Sequence, residues 1–420
     1  MRIIGKALTT LGAVCLAASP AQADTICDWM DYADKLTATL PPGAPPTGMP
    51  GREQATTQLA LAMFEAVNAI DRRYESYVAM PLGEATASQD AAAATAAYLV
   101  LSHYYSAQKT GLDESYAVAM QAVANAEARA LGVAIGTQAA KAALAVGGTT
   151  PGSTATPYRP RTSPGVWVGA QLPEFDPASF TLKPWVVKSF DQLRPPAPPA
   201  LTSERWARDL DEVKRLGARD GAARTPHQTL MARYRITPNM APSFRLIADA
   251  PGRSLVRNAR MFALWSMASD DAGRSTAAAK LHYNLWRPIT AIRNAEDDGN
   301  PATVPDAGWA PLINTPNHPE YPCGHCTFAA TTAAVLKSEV GNAPPGGVRV
   351  SSLSIPNSAV QVLPTFDDWV REVSFSRTLG GVHYRFSNEA GEAIGRQAGE
   401  LAIASVLRPL PKGRQRPALN

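Results

Sequence analysis

Cysteine is scarce in this chain: four residues in 420, and one of them, Cys15, falls in a segment read below as an export signal. Cys27, Cys323 and Cys326 are too few to staple a disulfide scaffold, so the fold has to rest on an apolar core. Charge of one sign is also thin. The net charge is +4, and Lys and Arg are dispersed rather than gathered into runs, which gives no footprint for nucleic acid. Beyond residue 23 no apolar run reaches the roughly 18 to 20 residues that span a bilayer. Alternating strand patterning is confined to a short piece from Val348 to Leu353, and no internal repeat is visible.

The beginning of the chain has the parts of an export signal. Arg2 and Lys6 give a basic start, an apolar run follows from Ala7 to Leu16, and Ala21-Gln22-Ala23 suits a signal peptidase. Residues 1–23 are therefore expected to be removed, and the protein to be periplasmic or secreted. An oxidising compartment would permit a bond between Cys323 and Cys326. Val14 before Cys15 is bulkier than a lipoprotein site prefers.

Ala, Leu and Glu at helical spacing predict helices near 53–71, 85–109, 113–131 and 134–147, with Leu59, Leu61, Met63, Ala66, Val67 and Ile70 forming one broad stripe. From about Gly147 to Pro199 the pattern gives way to Pro, Gly, Ser and Thr, as in Arg194-Pro-Pro-Ala-Pro-Pro199. A connection of that length points to a lid or a wrapping segment. Helical spacing resumes at 202–218, 224–237, 253–271, 275–296, 324–339, 365–379 and 388–406. The fold class is all-α, a helical bundle with long Pro-rich loops. Residues 24–200 form an N-terminal helical region with its connecting loop and 201–420 a C-terminal helical region, expected to make one integrated domain.

Three segments of the last third carry chemistry. The first holds Lys280 and Arg287-Pro288; seven residues are nearly two helical turns, so both cations would leave one helix face about 10 Å apart and converge on one anion. An ordinary solvated face is the plainer reading of that pair alone. The second, Pro322-Cys323-Gly324-His325, leads into an Ala-rich helix, whose free N–H groups would face an anion across Gly324 while His325 exchanges protons. In the third, Ser376-Arg377 ends a helix, Gly380-Gly381 breaks it, and His383 follows in the turn; Ser387 is read as the cap of the next helix. Together they supply three cations, a glycine backbone and two histidines, as a tetrahedral oxyanion requires. Cys323-Gly-His-Cys326 also spells a dithiol redox motif, but that chemistry needs a βαβ setting. A zinc site from His318, Cys323, His325 and Cys326 would crowd three ligands into four residues. Trp286, Trp309, Phe328 and His318 are candidates to shape a pocket.

In order and spacing the three segments resemble the superfamily of vanadium-dependent haloperoxidases and type 2 phosphatidic acid phosphatases. Its pattern runs Lys-x6-Arg-Pro, Pro-Ser-Gly-His, Ser-Arg-x5-His-x3-Asp, matched here by Lys280, Arg287, Pro288, Pro322, Gly324, His325, Ser376, Arg377 and His383. Cys323 replaces the Ser, and Ser387 replaces the Asp. Ala60 to Asp71, Pro157 to Trp167 and Phe190 to Gly217 are similar to the soluble bacterial haloperoxidase-like branch. The resemblance implies vanadate bonded to His383, held by Lys280, Arg287, Cys323, Gly324 and Arg377, with His325 as acid and base, and hydrogen peroxide and halide as substrates. No haem, flavin or nicotinamide is called for. Phosphate could occupy the same site, and an acid phosphatase working on a phosphate ester through a phosphohistidine uses the same residues, as would a non-catalytic oxyanion binder. Ser387 would leave His383 without a carboxylate partner, which a phosphohistidine mechanism would feel more.

Overall fold

The computed structural model describes residues 24–38, 51–146, 161–169 and 182–416. The expected export segment and part of the Pro-rich connection, including Thr149 to Gly152, lie outside the described residues. Thirteen α-helices build the described fold. The first five are α1 (Thr25–Ala38), α2 (Gly51–Ile70), α3 (Gln89–Tyr104), α4 (Lys109–Ala122) and α5 (Ala126–Leu144). Then come α6 (Glu204–Gly217), α7 (Pro226–Tyr234), α8 (Ala241–Ala248), α9 (Leu255–Tyr283) and α10 (Pro288–Arg293). The last three are α11 (Gly324–Val340), α12 (Phe366–Leu379) and α13 (Arg385–Ser405). No described helix is long and apolar enough to cross a membrane.

Helix starts follow capping chemistry. Ser88, Asn125, Ser203, Thr225 and Thr365 each accept an N–H of the helix they precede, and Thr225 with Gln228 closes a full capping box. Asn125 explains why the helix expected at 113–131 is two: the chain turns extended at Val123 and restarts behind the asparagine cap. The opposite correction applies to α9, which joins the stretches expected at 253–271 and 275–296 into one helix ending at Tyr283. Asn284, left-handed at φ 46°, stops it.

The strand expected at Val348 to Leu353 is β2 (Val348–Ser352), the middle of a small antiparallel sheet between β1 (Pro238–Asn239) and β3 (Gln361–Leu363). Pro238 faces Ser352, and Val348 faces Leu363. Both partners are too short for alternation to register.

One apolar core joins both halves of the chain, running from Ile26 and Leu59 through Phe262 and Met267 to Trp369 and Leu407. At its centre α2 is buried on every side from Leu59 to Ile70, so the expected stripe is a whole surface. A second, aromatic cluster of Trp206, Trp286, Trp309, Tyr321, Tyr384 and Phe386 lies behind the three motif segments. Trp286 and Trp309 thus serve packing. The Pro-rich segment wraps α9: Asp271 accepts the N–H groups of Trp185, Val186 and Val187 at 2.6–2.9 Å, and Asp270 accepts the Trp185 indole at 2.7 Å.

Helix α13 approaches α11 through glycines. A Cβ on Gly391 would lie 2.3 Å from the Cys323 carbonyl oxygen, and one on Gly395 2.1 Å from that of Thr327. These are backbone atoms and cannot step aside as a side chain would. Gly395→Ala should therefore cost roughly 1–3 kcal/mol through overpacking, read as a lower urea midpoint with an unchanged slope.

Candidate functional site

Lys280 sits in the last turn of α9 and Arg287 in extended backbone at the N-cap of α10. They do not share a helix face, as the spacing had suggested. The turn through Asn284 folds the chain back instead, and it is pinned by Trp167 N–H to Asn284 O at 2.8 Å and Trp286 N–H to Gly165 O at 3.0 Å. Lys280 Nζ then donates to the carbonyls of Pro319 at 3.1 Å and Glu320 at 2.6 Å. Arg287 donates to the carbonyls of His318 and Val382 at 2.9 Å each.

Helix α11 begins at Gly324 with Cys323 as its N-cap, the Cys323 sulfur accepting the Cys326 N–H. Cys323 and Cys326 are joined in a disulfide and both are buried. Cys323 therefore has no S–H to give an oxyanion, and neither sulfur is a free thiolate for zinc. First-turn N–H groups have no carbonyl one turn back, which leaves those of Gly324 and His325 as the donors of this helix end. A Cβ on Gly324 would find nothing closer than Thr276 Cγ2 at 4.0 Å, so the glycine leaves open space at that point. His325 Nε2 lies 2.9 Å from the Ile236 carbonyl. A carbonyl only accepts, so Nε2 carries the proton and Nδ1 is the basic nitrogen. The next carbonyl along, that of Thr237, accepts the Leu353 N–H at 2.9 Å beside the small sheet.

Helix α12 ends at Leu379 with Gly380 as its C-cap, Gly381 takes φ +78°, and His383 enters just before α13. Its N-cap is Tyr384, without a side-chain bond, so Ser387 is not the expected cap; it lies buried in the first turn. His383 Nδ1 is 2.7 Å from Glu320 Oε1, and its Nε2 is 3.3 Å from Arg287. Glu320 was not singled out from the sequence. Its position two residues ahead of Pro322, at a fixed offset from a recognised motif, was the one clue to it.

Lys280, Arg287, Arg377 and His383 are each at most 2% exposed, and Glu320 is fully buried. Burial, followed by the like charge of Arg287, holds Lys280 well below the ordinary lysine range and Arg377 below that of arginine. Burial, then the same cations, holds His383 well below the usual histidine value. Burial and then Arg377 bring His325 down to about 3. For Glu320 burial wins over Lys280 and Arg287 and lifts the carboxyl to about 7. Among the described residues Arg377 Nε has no hydrogen-bond partner, and the one bond of its guanidinium, to the Arg235 carbonyl, is 3.5 Å long. Three buried cations against one carboxylate is an arrangement that fits a bound anion. A cavity of about 690 Å³ opens here, lined by Lys280, His318, Gly324, His325, Phe328 and His383 and also by Trp265, Glu53 and Asp270.

Two outcomes follow. Arg377→Met should raise the stability of the anion-free protein by about 1–3 kcal/mol, since it removes a poorly paired buried charge, while weakening phosphate binding roughly 10- to 100-fold; urea melts and calorimetry measure each. Lys280 has a lower proton affinity in the fold than in the unfolded chain, so its charge destabilises the protein at low pH and that penalty fades as pH rises through its folded value. An anion relieves the penalty only while Lys280 is charged. The rise in melting temperature given by phosphate should accordingly shrink as pH increases, beginning below the lysine value of about 10.4.

Residues 260–411 match the family described as VCPO second helical-bundle domain. A stretch of 89 residues is 36% identical to the vanadium chloroperoxidase of Curvularia inaequalis, covering 19% of this chain and 14% of that protein's length. As a whole fold, the chain superposes on the crystal structure of the first bacterial vanadium-dependent iodoperoxidase with a TM-score of 0.77 at 20% identity, covering 94% of this chain and 99% of that one. A holo-type bacterial vanadium-dependent chloroperoxidase gives 0.65 at 18% identity, over 91% and 93% of the two chains. Residues 260–411 thus match the VCPO second helical-bundle domain, within a chain whose fold is that of the solved bacterial vanadium haloperoxidases.

Proposed function

We propose that the protein is an exported vanadium-dependent haloperoxidase that oxidises halide with hydrogen peroxide. The observation that carries this reading is the burial of three cations whose charges act on His383, one of them, Arg287, 3.3 Å from its Nε2, beside a helix that starts at a glycine on the same cavity. Vanadate, when bound, supplies a Lewis-acidic centre that activates peroxide toward halide without changing oxidation state. Lys280, Arg287, Arg377 and the Gly324 N–H would hold its oxygens, and His383 Nε2 would bond the metal. His325, neutral through Nδ1, would take a proton from incoming peroxide and return it as product leaves. Anion charge nearby raises its proton affinity from the low value of the bare site.

The cavity wall supports an oxidising reaction. Among the described residues none that lines it is a methionine or a free cysteine, and the Cys323–Cys326 disulfide withdraws both nearby thiols from oxidation. Such a bond also suits export to an oxidising compartment.

Glu320 keeps a second reading alive, hydrolysis of phosphate monoesters with His383 as nucleophile. A carboxylate on Nδ1 strengthens the imidazole as a nucleophile as readily as it orients a metal ligand, which removes the disadvantage inferred from Ser387. Assays of halide oxidation with and without vanadate, beside aryl phosphate hydrolysis, separate the two. Vanadate-dependent halide oxidation is expected, falling to background in His383→Ala and roughly 100-fold or more in His325→Ala. Hydrolysis inhibited by vanadate would establish the phosphatase, and anion binding with neither activity the non-catalytic protein.

A further inference from the structure

We infer that Glu320 is the positioning carboxylate of His383, doing through space what the superfamily pattern assigns to an aspartate at position 387. This deepens the proposed function and rests on it only for the identity of the anion.

Three contacts make the assignment. Glu320 Oε1 is 2.7 Å from His383 Nδ1 and also accepts the Tyr384 N–H at 3.2 Å, so one oxygen is fixed by two donors. On the other side of the ring Arg287, which can only donate, approaches Nε2 at 3.3 Å. A ring that accepts at Nε2 and meets a carboxyl oxygen at Nδ1 has its proton on Nδ1 and its lone pair toward the cations. That is the tautomer a metal or phosphorus atom needs.

Position 387 cannot do this as it stands. Ser387 Oγ is 3.4 Å from Nδ1, fully buried, and carries no charge. Glu320, by contrast, is anchored at its backbone: its N–H donates to Leu285 O at 2.9 Å and its carbonyl accepts Lys280 Nζ at 2.6 Å. One residue therefore orients the histidine with its side chain and a cation with its main chain. The two positions flank the same ring nitrogen, so carboxylates at both would face each other in a dry site, where like charges cannot both ionise. The requirement is for one carboxylate, from either place.

The test is a cycle of Glu320→Ala, Ser387→Asp and the double variant, with Glu320→Gln as a shape-preserving control and near-ultraviolet circular dichroism to verify folding. Two readouts are taken: vanadate and phosphate affinities by calorimetry, and the histidine tautomer by nitrogen-15 NMR of labelled rings. Each single change should weaken vanadate about 10- to 100-fold, Glu320→Gln less, and the double variant should return to within about threefold of the parent. Phosphate, held by the cations alone, should move less than about threefold in Glu320→Ala. The Nδ1–H signal should vanish in Glu320→Ala and reappear in the double variant. A folded Glu320→Ala with parental affinity and tautomer, or a double variant no better than Glu320→Ala in both readouts, overturns the inference. If Glu320→Ala does not fold, Glu320→Gln and its combination with Ser387→Asp give the same comparison. If the parent binds no vanadate, the haloperoxidase reading fails by itself, and the NMR arm still decides the role of Glu320.

Discussion

The structure is organised around an electrostatic imbalance: Lys280, Arg287 and Arg377 are buried together around His383 with Glu320 as the carboxylate against His383. Desolvated like charges of this kind repel, and a fold sustains them only if the rest of it is strong enough to hold them. That strength comes from α9, α11 and α13 packed in one apolar core, from glycines that bring α13 against the α11 backbone, and from an aromatic cluster behind the site. Trp206 packs against Trp286 at 6.1 Å and Tyr384 against Phe386 at 5.0 Å, each stabilising by about 0.5–1.5 kcal/mol. Lys280 and Arg287 are held by backbone carbonyls, and fixed donors of that kind are how preorganised sites avoid rearranging during reaction.

Much of this was legible in the sequence. The three motif segments were grouped by their order and by their resemblance to one superfamily pattern, and the glycines at 380, 381 and 324 marked where the backbone turns or opens. The helix pattern held because apolar periodicity reports burial directly. Where it misled, a local cap or a tertiary partner had intervened. Asn125 split one expected helix, while α9 runs on through the gap expected at 272–274, with Asp270 engaged by Arg274 and Asp271 by the wrapping backbone.

Glu320 shows the limit more sharply. Its role depends on a contact 63 residues away along the chain, and spacing rules see only neighbours on one element. Position 387 signalled that something was missing, and nothing local could say where its replacement lay. Lys280 and Arg287 teach the same lesson in reverse. Their seven-residue interval looked like a helix face, yet the convergence comes from a left-handed asparagine that ends the helix between them.

Helix α9 carries two attachments nine residues apart: Asp271, which clasps the Pro-rich wrap, and Lys280, which grips the carbonyls beside the cation cluster. Both are fixed to the same rigid rod, so the wrap and the cluster share one mechanical register. Sliding the rod by a single residue, about 1.5 Å, would unseat both grips at once. A pull on the wrap would thereby reach Lys280 through the backbone of one helix.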